Sequence, residues 1–293
     1  MDIKQLKYLI ALDRTRHFGQ AAAACHITQP TLSMRIRSLE EELNLVLIQR
    51  GQRFEGFTPE GERILAWARA LLAAHDGLEA EAAICRGQMV GQLRVGMVPL
   101  ASLNPMQLIK PLTEKYPELQ FSLLSLTSEQ IIDGVSRNQL DLGICYLHHV
   151  DSQLFNVQWL PATRMGLLHD RRHFQFAAGI PDWDTLAALP LGFLTKGMYY
   201  RESIEMSFKG KGLSPKYVFE SDSTFQIIQA VQAGICCAIM PLNNGLEALS
   251  DNLEIIPIAE TAVDSMLALI MRNQQPVSSL AEKCFADAQA IFG

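Results

Sequence analysis

The sequence predicts an α/β chain in three parts: a small helical head closed by a hairpin, one long helix, and a body of alternating strands and helices. Three observations predict it. Apolar residues recur at helical spacing through the first 45 positions. A run from Thr58 to Cys85 keeps its apolar residues at alternating threes and fours. From Gln92 onward, short β-forming stretches alternate with amphipathic ones, the rhythm of strand–helix–strand units. At 293 residues the chain exceeds what one core comfortably serves, so several domains are expected.

Hydrophobic residues make up 48% of the chain and charged residues 19%, proportions of a folded rather than a disordered protein. The net charge of −6 hides an asymmetry. Residues 1–58 carry eight Lys/Arg and six Asp/Glu, a balance of +2, which leaves −8 for the remainder. A basic head can meet phosphate even on an acidic body, because the local field at the contact face decides. The six cysteines (Cys25, Cys85, Cys145, Cys236, Cys237 and Cys284) show no CxxC spacing, which suits a reducing cytosol. No apolar run reaches membrane-spanning length and the N-terminus lacks a secretory pattern, so a soluble cytoplasmic protein is expected.

Within the head, Ile3, Leu6, Leu9 and Ile10 place a first amphipathic helix over residues 3–14. A second, at about 18–25, is rich in alanine, so a neighbouring helix can approach closely. "HIT" breaks it. Thr28 then suits an N-cap, and Pro30 falls in the first turn of a third helix, where its missing N–H costs little. Leu32, Ile36, Leu39 and Leu43 form one narrow apolar stripe along that helix. The opposite face collects Pro30, Ser33, Met34 and Arg37, flanked by Gln29, Thr31 and Arg35. Helix-turn-helix proteins present such a face to the major groove. Glu40-Glu41-Glu42 reads as a solvated stretch, and "LVLIQRGQRFEGFTPEG" as a hairpin, or wing, with Arg50 and Arg53 near its tip. By pattern alone, a helical subdomain with a wet polar face fits as well.

The residues carry a resemblance that separates these readings. "FGQAAAACHITQPTLSMRIRSLEEELNLVLIQR", followed by "FTPEGERIL", resembles the DNA-binding region of the LysR-type transcriptional regulators. The matching parts are the alanine pair of the second helix, Gln29-Pro30, Leu32-Ser33, Ile36, Arg37, Leu39 to Leu43, and the "TPEG" exit. The resemblance implies a winged helix-turn-helix in which Gln29, Pro30, Ser33 and Arg37 approach the groove while Arg50 and Arg53 serve the wing. The family often has a polar or basic side chain where this chain has Met34. Whether Met34 or the adjacent Arg35 faces a base is left open.

Thr58 is a suitable N-cap for the long helix, with Pro59 at its first position and Glu60 and Glu62 at the positive end of its dipole. Ile64, Ala68, Leu71, His75, Leu78, Ala82 and Cys85 then mark a seam of about three heptads, read as a contact between two subunits. In the resembling family this segment is the linker helix that pairs them. The body begins with a strand at 92–98, a helix capped by Asn104 and opened by Pro105, and a strand at 119–125. A Thr127/Gln130 capping box starts the next helix, and "DLGICY" is a buried strand, so a largely parallel sheet is expected. A similar unit follows residue 165: strands "LGFLT", "YVFES" and "CAIMP", and helices at about 199–208 and 223–233. "MLALIMR" and a helix at 277–291 close the chain. These readings give a DNA-binding domain at 1–58, a linker helix at 59–88 and an effector domain at 89–293. The latter divides into subdomain I (about 89–163 and 266–293) and subdomain II (about 164–265). By resemblance, the effector domain has the fold of periplasmic solute-binding proteins.

Open α/β sheets bind ligands beyond the carboxyl ends of their strands, where helix N-termini favour small anions. Loops at Pro99–Ser102, Leu126–Ser128 and "TKGMYYR" at 195–201 hold that position. They offer Pro99, Leu100, Ser102, Thr127, Ser128, Thr195, Lys196, Tyr199 and Arg201, with Lys196 and Arg201 suited to a carboxylate or oxyanion. Expected partners are double-stranded promoter DNA, a small anionic effector and further copies in a homodimer or homotetramer, with RNA polymerase a further candidate. No cofactor or metal is implied, and nothing marks a catalytic site.

Several signals are discounted. "HDRRH" spaces His169 and His173 as metal ligands can be, but reads as a solvated loop, as does His148-His149 with Asp151. Cys236 and Cys237 fall in an apparent buried strand, facing opposite ways. Alternatives to a ligand-responsive regulator are a redox sensor acting through cysteine, a cytosolic α/β enzyme with a helical accessory head, and a free-standing solute-binding protein. The last is opposed by the missing export pattern.

Overall fold

The structure is a computed structural model that describes residues 1–50, 54–101, 103–147, 153–161, 164–176, 181–196, 199–242, 245, 249–258, 266–274 and 276–292, without the side chains of residues 50, 199 and 200. It divides into two compact units, Met1–Gln88 with Arg137–Gln139, and Met89–Ser136 with Leu140–Gly293.

In the first unit α1 (Ile3–Thr15) starts at a reciprocal cap. Asp2 accepts from the Gln5 N–H at 2.8 Å while the Gln5 side chain accepts from the Asp2 N–H at 2.7 Å. The short α2 (Phe18–Ala24) buries Ala21 and Ala22, which lets α1 and α3 close on it. Helix α3 (Gln29–Leu43) is capped by Thr28, whose hydroxyl accepts from the Thr31 N–H. Leu32, Ile36 and Leu39 are buried with Leu6, Leu9 and Leu12, and Leu43 packs at the margin of the same core. Fully burying one such side chain is worth roughly 1.5–3 kcal/mol, so the stripe fixes which face of α3 stays outside.

Strands β1 (Ile48–Arg50) and β2 (Phe54–Phe57) form the expected antiparallel hairpin. One acidic residue departs from the solvated reading. Glu40 is buried, and its Oε1 accepts from the Leu47 and Ile48 N–H groups at 2.9 and 3.2 Å. The carboxylate thereby ties α3 to the start of the wing, while Glu41 and Glu42 are exposed. The hairpin leads into α4 (Pro59–Cys85) through Thr58, whose hydroxyl donates to the Val46 carbonyl at 2.6 Å and accepts from the Gly61 N–H at 2.9 Å. A Cβ on Gly61 would stand 2.0 Å from the Leu47 carbonyl oxygen, so the "TPEG" glycine is required by close approach of backbone to backbone.

The seam on α4 also needs correction. Its first members, Ile64 and Ala68, pack into the head's own core rather than facing outward. The large exposed apolar side chains are Trp67, Leu71 and Leu78, one stripe at i, i+4 and i+11, and the later seam members Ala82 and Cys85 are exposed as well.

The second unit holds two lobes of matching topology. In the first, β3 (Gly91–Met97), α5 (Met106–Lys115), β4 (Leu119–Ser125), α6 (Ser128–Ser136) and β5 (Leu142–Tyr146) form a parallel β–α–β–α–β run. The expected Thr127/Gln130 capping box is present, and Asn104 accepts from the Met106 N–H at the start of α5. The sheet is mixed rather than largely parallel. After β5, its order β4-β3-β5-β12-β6 adds β12 (Leu267–Arg272) and β6 (Phe155–Trp159), each antiparallel to its neighbour. The C-terminal α10 (Ser279–Phe292) returns to this lobe, where Asp287 accepts from Lys115 and from the Tyr116 hydroxyl.

The second lobe repeats the plan with β8 (Leu191–Leu194), α8 (Tyr199–Gly210), β9 (Tyr217–Ser221), α9 (Thr224–Gln232) and β10 (Ala238–Pro241). Strands β8 and β9 are parallel, and Leu191 of β8 forms a parallel bridge with Cys237, the residue before β10. β7 (Met165–Asp170) and β11 (Leu253–Pro257) complete it in antiparallel sense, with α7 (Trp183–Ala188) ahead of β8. β6, β11 and α7 were not in the sequence reading. "HDRRH" is only partly a solvated turn, because His169 and Asp170 are buried at the end of β7. His148, His149 and Asp151 lie outside the described residues.

Candidate nucleic-acid interface and ligand cleft

At about 100° per residue, burial of Leu32, Ile36 and Leu39 turns Pro30, Met34 and Arg37 outward. Gln29, Pro30 and Arg37 are exposed, and Met34 is 61% exposed. Ser33 is partly covered at the margin. Thr31 is also partly covered, and its hydroxyl lies 2.9 Å from that of Thr28. Arg35 stands on the flank nearer the core, its guanidinium 3.7 Å from Asp2 of α1. Met34 points away from the core, and Arg35 on the flank is exposed as well. Arg37 lies 3.6 Å from Glu41, one turn on along an exposed surface. Such a pair is screened and weak, so the guanidinium can exchange partners readily. Arg53 and the side chain of Arg50 lie outside the described residues.

The cleft of the second unit lies where open α/β sheets hold ligands, beyond the carboxyl ends of β3 and β4. Val98, Pro99, Leu100 and Ala101 form one wall, and Leu123, Leu124 and Ser125 another. Thr224, at the start of α9, comes from the second lobe. The cavity, open to solvent on one side, holds about 320 Å³, at the small end for ligand pockets. Leu100 adopts φ +58, a left-handed conformation costly for a non-glycine residue. Its side chain packs against the hydrophobic core of the second lobe, so this residue of the first lobe spans the cleft.

Of the effector residues expected from sequence, Pro99 and Leu100 line this cavity. Thr127 is engaged in its capping box, and the Ser128 hydroxyl accepts from the Tyr146 N–H at 3.2 Å. The Thr195 N–H donates to the Ser221 carbonyl, and Lys196 is exposed. None of these four is among the lining residues. Ser102 and the side chain of Tyr199 lie outside the described residues.

Arg201 is buried in the second lobe and is not among the described residues that line this cavity. It is 1% exposed, with its guanidinium 4.1 Å from the centre of the Phe193 ring and 5.2 Å from that of Tyr217. Glu205, one turn on, accepts from its Nε at 2.7 Å and its Nη2 at 2.6 Å, and Glu220 lies 4.0 Å from Nη1. Aromatic faces and Glu205 hold this cation within the second lobe, while its buried Nη1 has no hydrogen-bond partner. Leu123 and Leu124 are apolar strand residues and Thr224 comes from the other lobe, so none of the three stands out in the sequence as lining this cavity.

The thiols bear on the redox alternative. Burial pushes Cys236 up to about 11, and Cys145, Cys237 and Cys284 up to about 12. Cys25 is also raised, chiefly by burial. Such groups are overwhelmingly thiol at neutral pH, and peroxide attack requires thiolate.

A helix-turn-helix that turns one helix face outward, joined to a two-lobed body with a small cleft, defines a ligand-responsive DNA-binding regulator. Comparison with known proteins gives the family. Residues 3–62 match the bacterial regulatory helix-turn-helix protein model of the lysR family, and residues 86–290 match the LysR substrate binding domain. The chain belongs to the LysR family of transcriptional regulators and is not an enzyme.

Over 286 residues it is 27% identical to the DNA-binding transcriptional dual regulator OxyR of Escherichia coli K12, covering 97% of this chain and 93% of that one. It is 33% identical to a hydrogen peroxide-inducible genes activator of Haemophilus influenzae over 145 residues, 49% of this chain and 48% of that relative. In fold it is similar to CbnR, a LysR family transcriptional regulator, with a TM-score of 0.72, 20% identity and full coverage of both chains. CbnR has also been solved in complex with its target DNA; that structure gives a TM-score of 0.70 at 21% identity and covers 98% of this chain and 100% of that one. No described helix of the chain is long and apolar enough to cross a membrane.

Proposed function

We propose that this regulator reads DNA with the N-terminal half of α3, through Gln29, Pro30, Ser33, Met34 and Arg37, while Arg50 and Arg53 of the wing meet flanking phosphates. Thr31 and Arg35 stand at the edges of that contact. The observation that carries the reading is the orientation of α3: Leu32, Ile36 and Leu39 are buried while Pro30, Met34 and Arg37 face solvent. Two copies pair through Trp67, Leu71 and Leu78 of α4, because an exposed apolar stripe on a helix is stabilised by a second such stripe. Pairing supplies the two-fold symmetry that a double half-site requires. Association of pairs into a tetramer, contact with RNA polymerase and a cytoplasmic setting belong to the same reading. A small molecule in the cleft biases two arrangements of the lobes, and its differential affinity for them is the signal. Burial of Cys145, Cys236, Cys237 and Cys284 favours a non-covalent effector over oxidation of those four thiols; Cys85, on α4, is exposed.

The test is fluorescence anisotropy on DNA from the region upstream of the protein's own gene, across a salt series. Arg37→Ala is expected to lower affinity by about 1–3 kcal/mol. A loss shared by all sequences, with a shallower salt dependence, marks a phosphate contact; a loss at one base position marks guanine reading. Unchanged affinity at every salt concentration removes Arg37 from the interface.

A further inference from the structure

We infer that the effector is a small, mainly apolar molecule with a single hydrogen-bonding oxygen, and not a dicarboxylate or inorganic oxyanion. This rests on the proposed role of the cleft and specifies what fills it. The side chains that line the cavity point to that class. The walls are built from Met97, Val98, Leu100, Leu103 and Leu124 together with prolines and an alanine. Among the described lining residues the side-chain hydroxyls are those of Ser125 and Thr224, and none of these residues is cationic. Arg201, packed on Phe193 and Tyr217 and bonded to Glu205, is not among the described residues that line this cavity, and its unpartnered Nη1 is buried within the second lobe.

A doubly charged ligand placed here would lose its hydration without a compensating opposite charge, which is the costly case. An apolar body loses nothing by leaving water. The one polar end of such a molecule fits at Thr224, in the first turn of α9, where Ser223 at the cap position makes no side-chain hydrogen bond to the helix. The unoccupied N–H groups of a first turn attract an oxygen acceptor. Leu100, held in its left-handed conformation and reaching the core of the second lobe, touches both lobes at once. An apolar occupant that packs on Leu100 therefore acts on the contact between the lobes, which a charged ligand in the open mouth would not do.

The full-length protein is to be titrated by ligand-observed NMR with 1-butanol, 1-pentanol, 1-hexanol, hexanoate, succinate and inorganic phosphate. Burial of each methylene is expected to raise affinity about fourfold along the alcohols. Hexanol should bind at least tenfold more tightly than succinate or phosphate. Leu124 is 44% exposed, so Leu124→Asp leaves the fold intact, which a melting curve checks, and it should weaken hexanol at least tenfold. Lys196→Ala should change nothing. Tighter binding of succinate or phosphate, weakened in its turn by Leu124→Asp, overturns the apolar class and leaves the cleft as the effector site. If Leu124→Asp alters the binding of none of the six probes, the cleft reading falls and the effector class with it.

Discussion

Glu40 is a carboxylate withdrawn from water to serve two backbone N–H groups at the joint between α3 and the wing. Glu40→Ala leaves both donors without that acceptor inside the head, so stability should fall by about 2–4 kcal/mol. Glu40→Gln keeps an acceptor oxygen and should recover more than half. Urea unfolding of the full chain measures both, and an unmoved midpoint for Glu40→Ala would refute the role. This residue was legible in principle. It follows Ile36 by four positions, which puts it beside the apolar stripe, whereas Glu41 points away. Reading the three acids as one charged run obscured that difference. Arg201 was not legible at all. Its enclosure depends on Phe193 and Tyr217 arriving from two neighbouring strands, a long-range fact that local spacing does not encode.

At the level of elements, helices with caps and stripes were the most readable. Thr28, Thr58 and the Thr127/Gln130 pair all cap helices as their sequence positions indicate. Strands β6 and β11 were missed because each is only partly buried along its length and mixes polar with apolar residues. The seam of α4 slipped by one position near its start, since a heptad pattern cannot tell a partner helix from the helix's own domain. Leu78→Glu tests the corrected stripe. It should shift the protein from dimer towards monomer in sedimentation at micromolar concentration without lowering the melting temperature of the head; an unchanged sedimentation coefficient counts against pairing through α4. A second element-level expectation concerns the end of β7. Hydrogen bonds from Arg172 hold the Asp170 carboxyl below its ordinary value. Its folded value thus lies under the unfolded one of about 3.9, so its contribution is present above about pH 4 and is lost as pH falls through the folded value. Arg172→Gln should lower stability at neutral pH and flatten the acid limb of a melting-temperature profile. A limb of unchanged steepness would mean that the pair contributes nothing.

Across the whole molecule, the sequence conveyed the plan of head, long helix and twin strand–helix units, and the family match agrees with it. It conveyed the cleft's whereabouts better than the cleft's chemistry. Strand ends are local features, but the character of a cavity depends on which side chains two lobes bring together, and here Leu100 and Thr224 come from opposite lobes. The cationic loop residues that suggested an anion are elsewhere: one enclosed among rings, one in solvent. Gly61 carries a last consequence. The angle at which the wing meets the long helix is set by an atom that is missing and by the neutral hydrogen bonds of Thr58, not by a charge. Ionic strength that strips a protein from phosphate has no purchase on such a joint, so brine can lift this head off a duplex and leave it ready to land again unchanged.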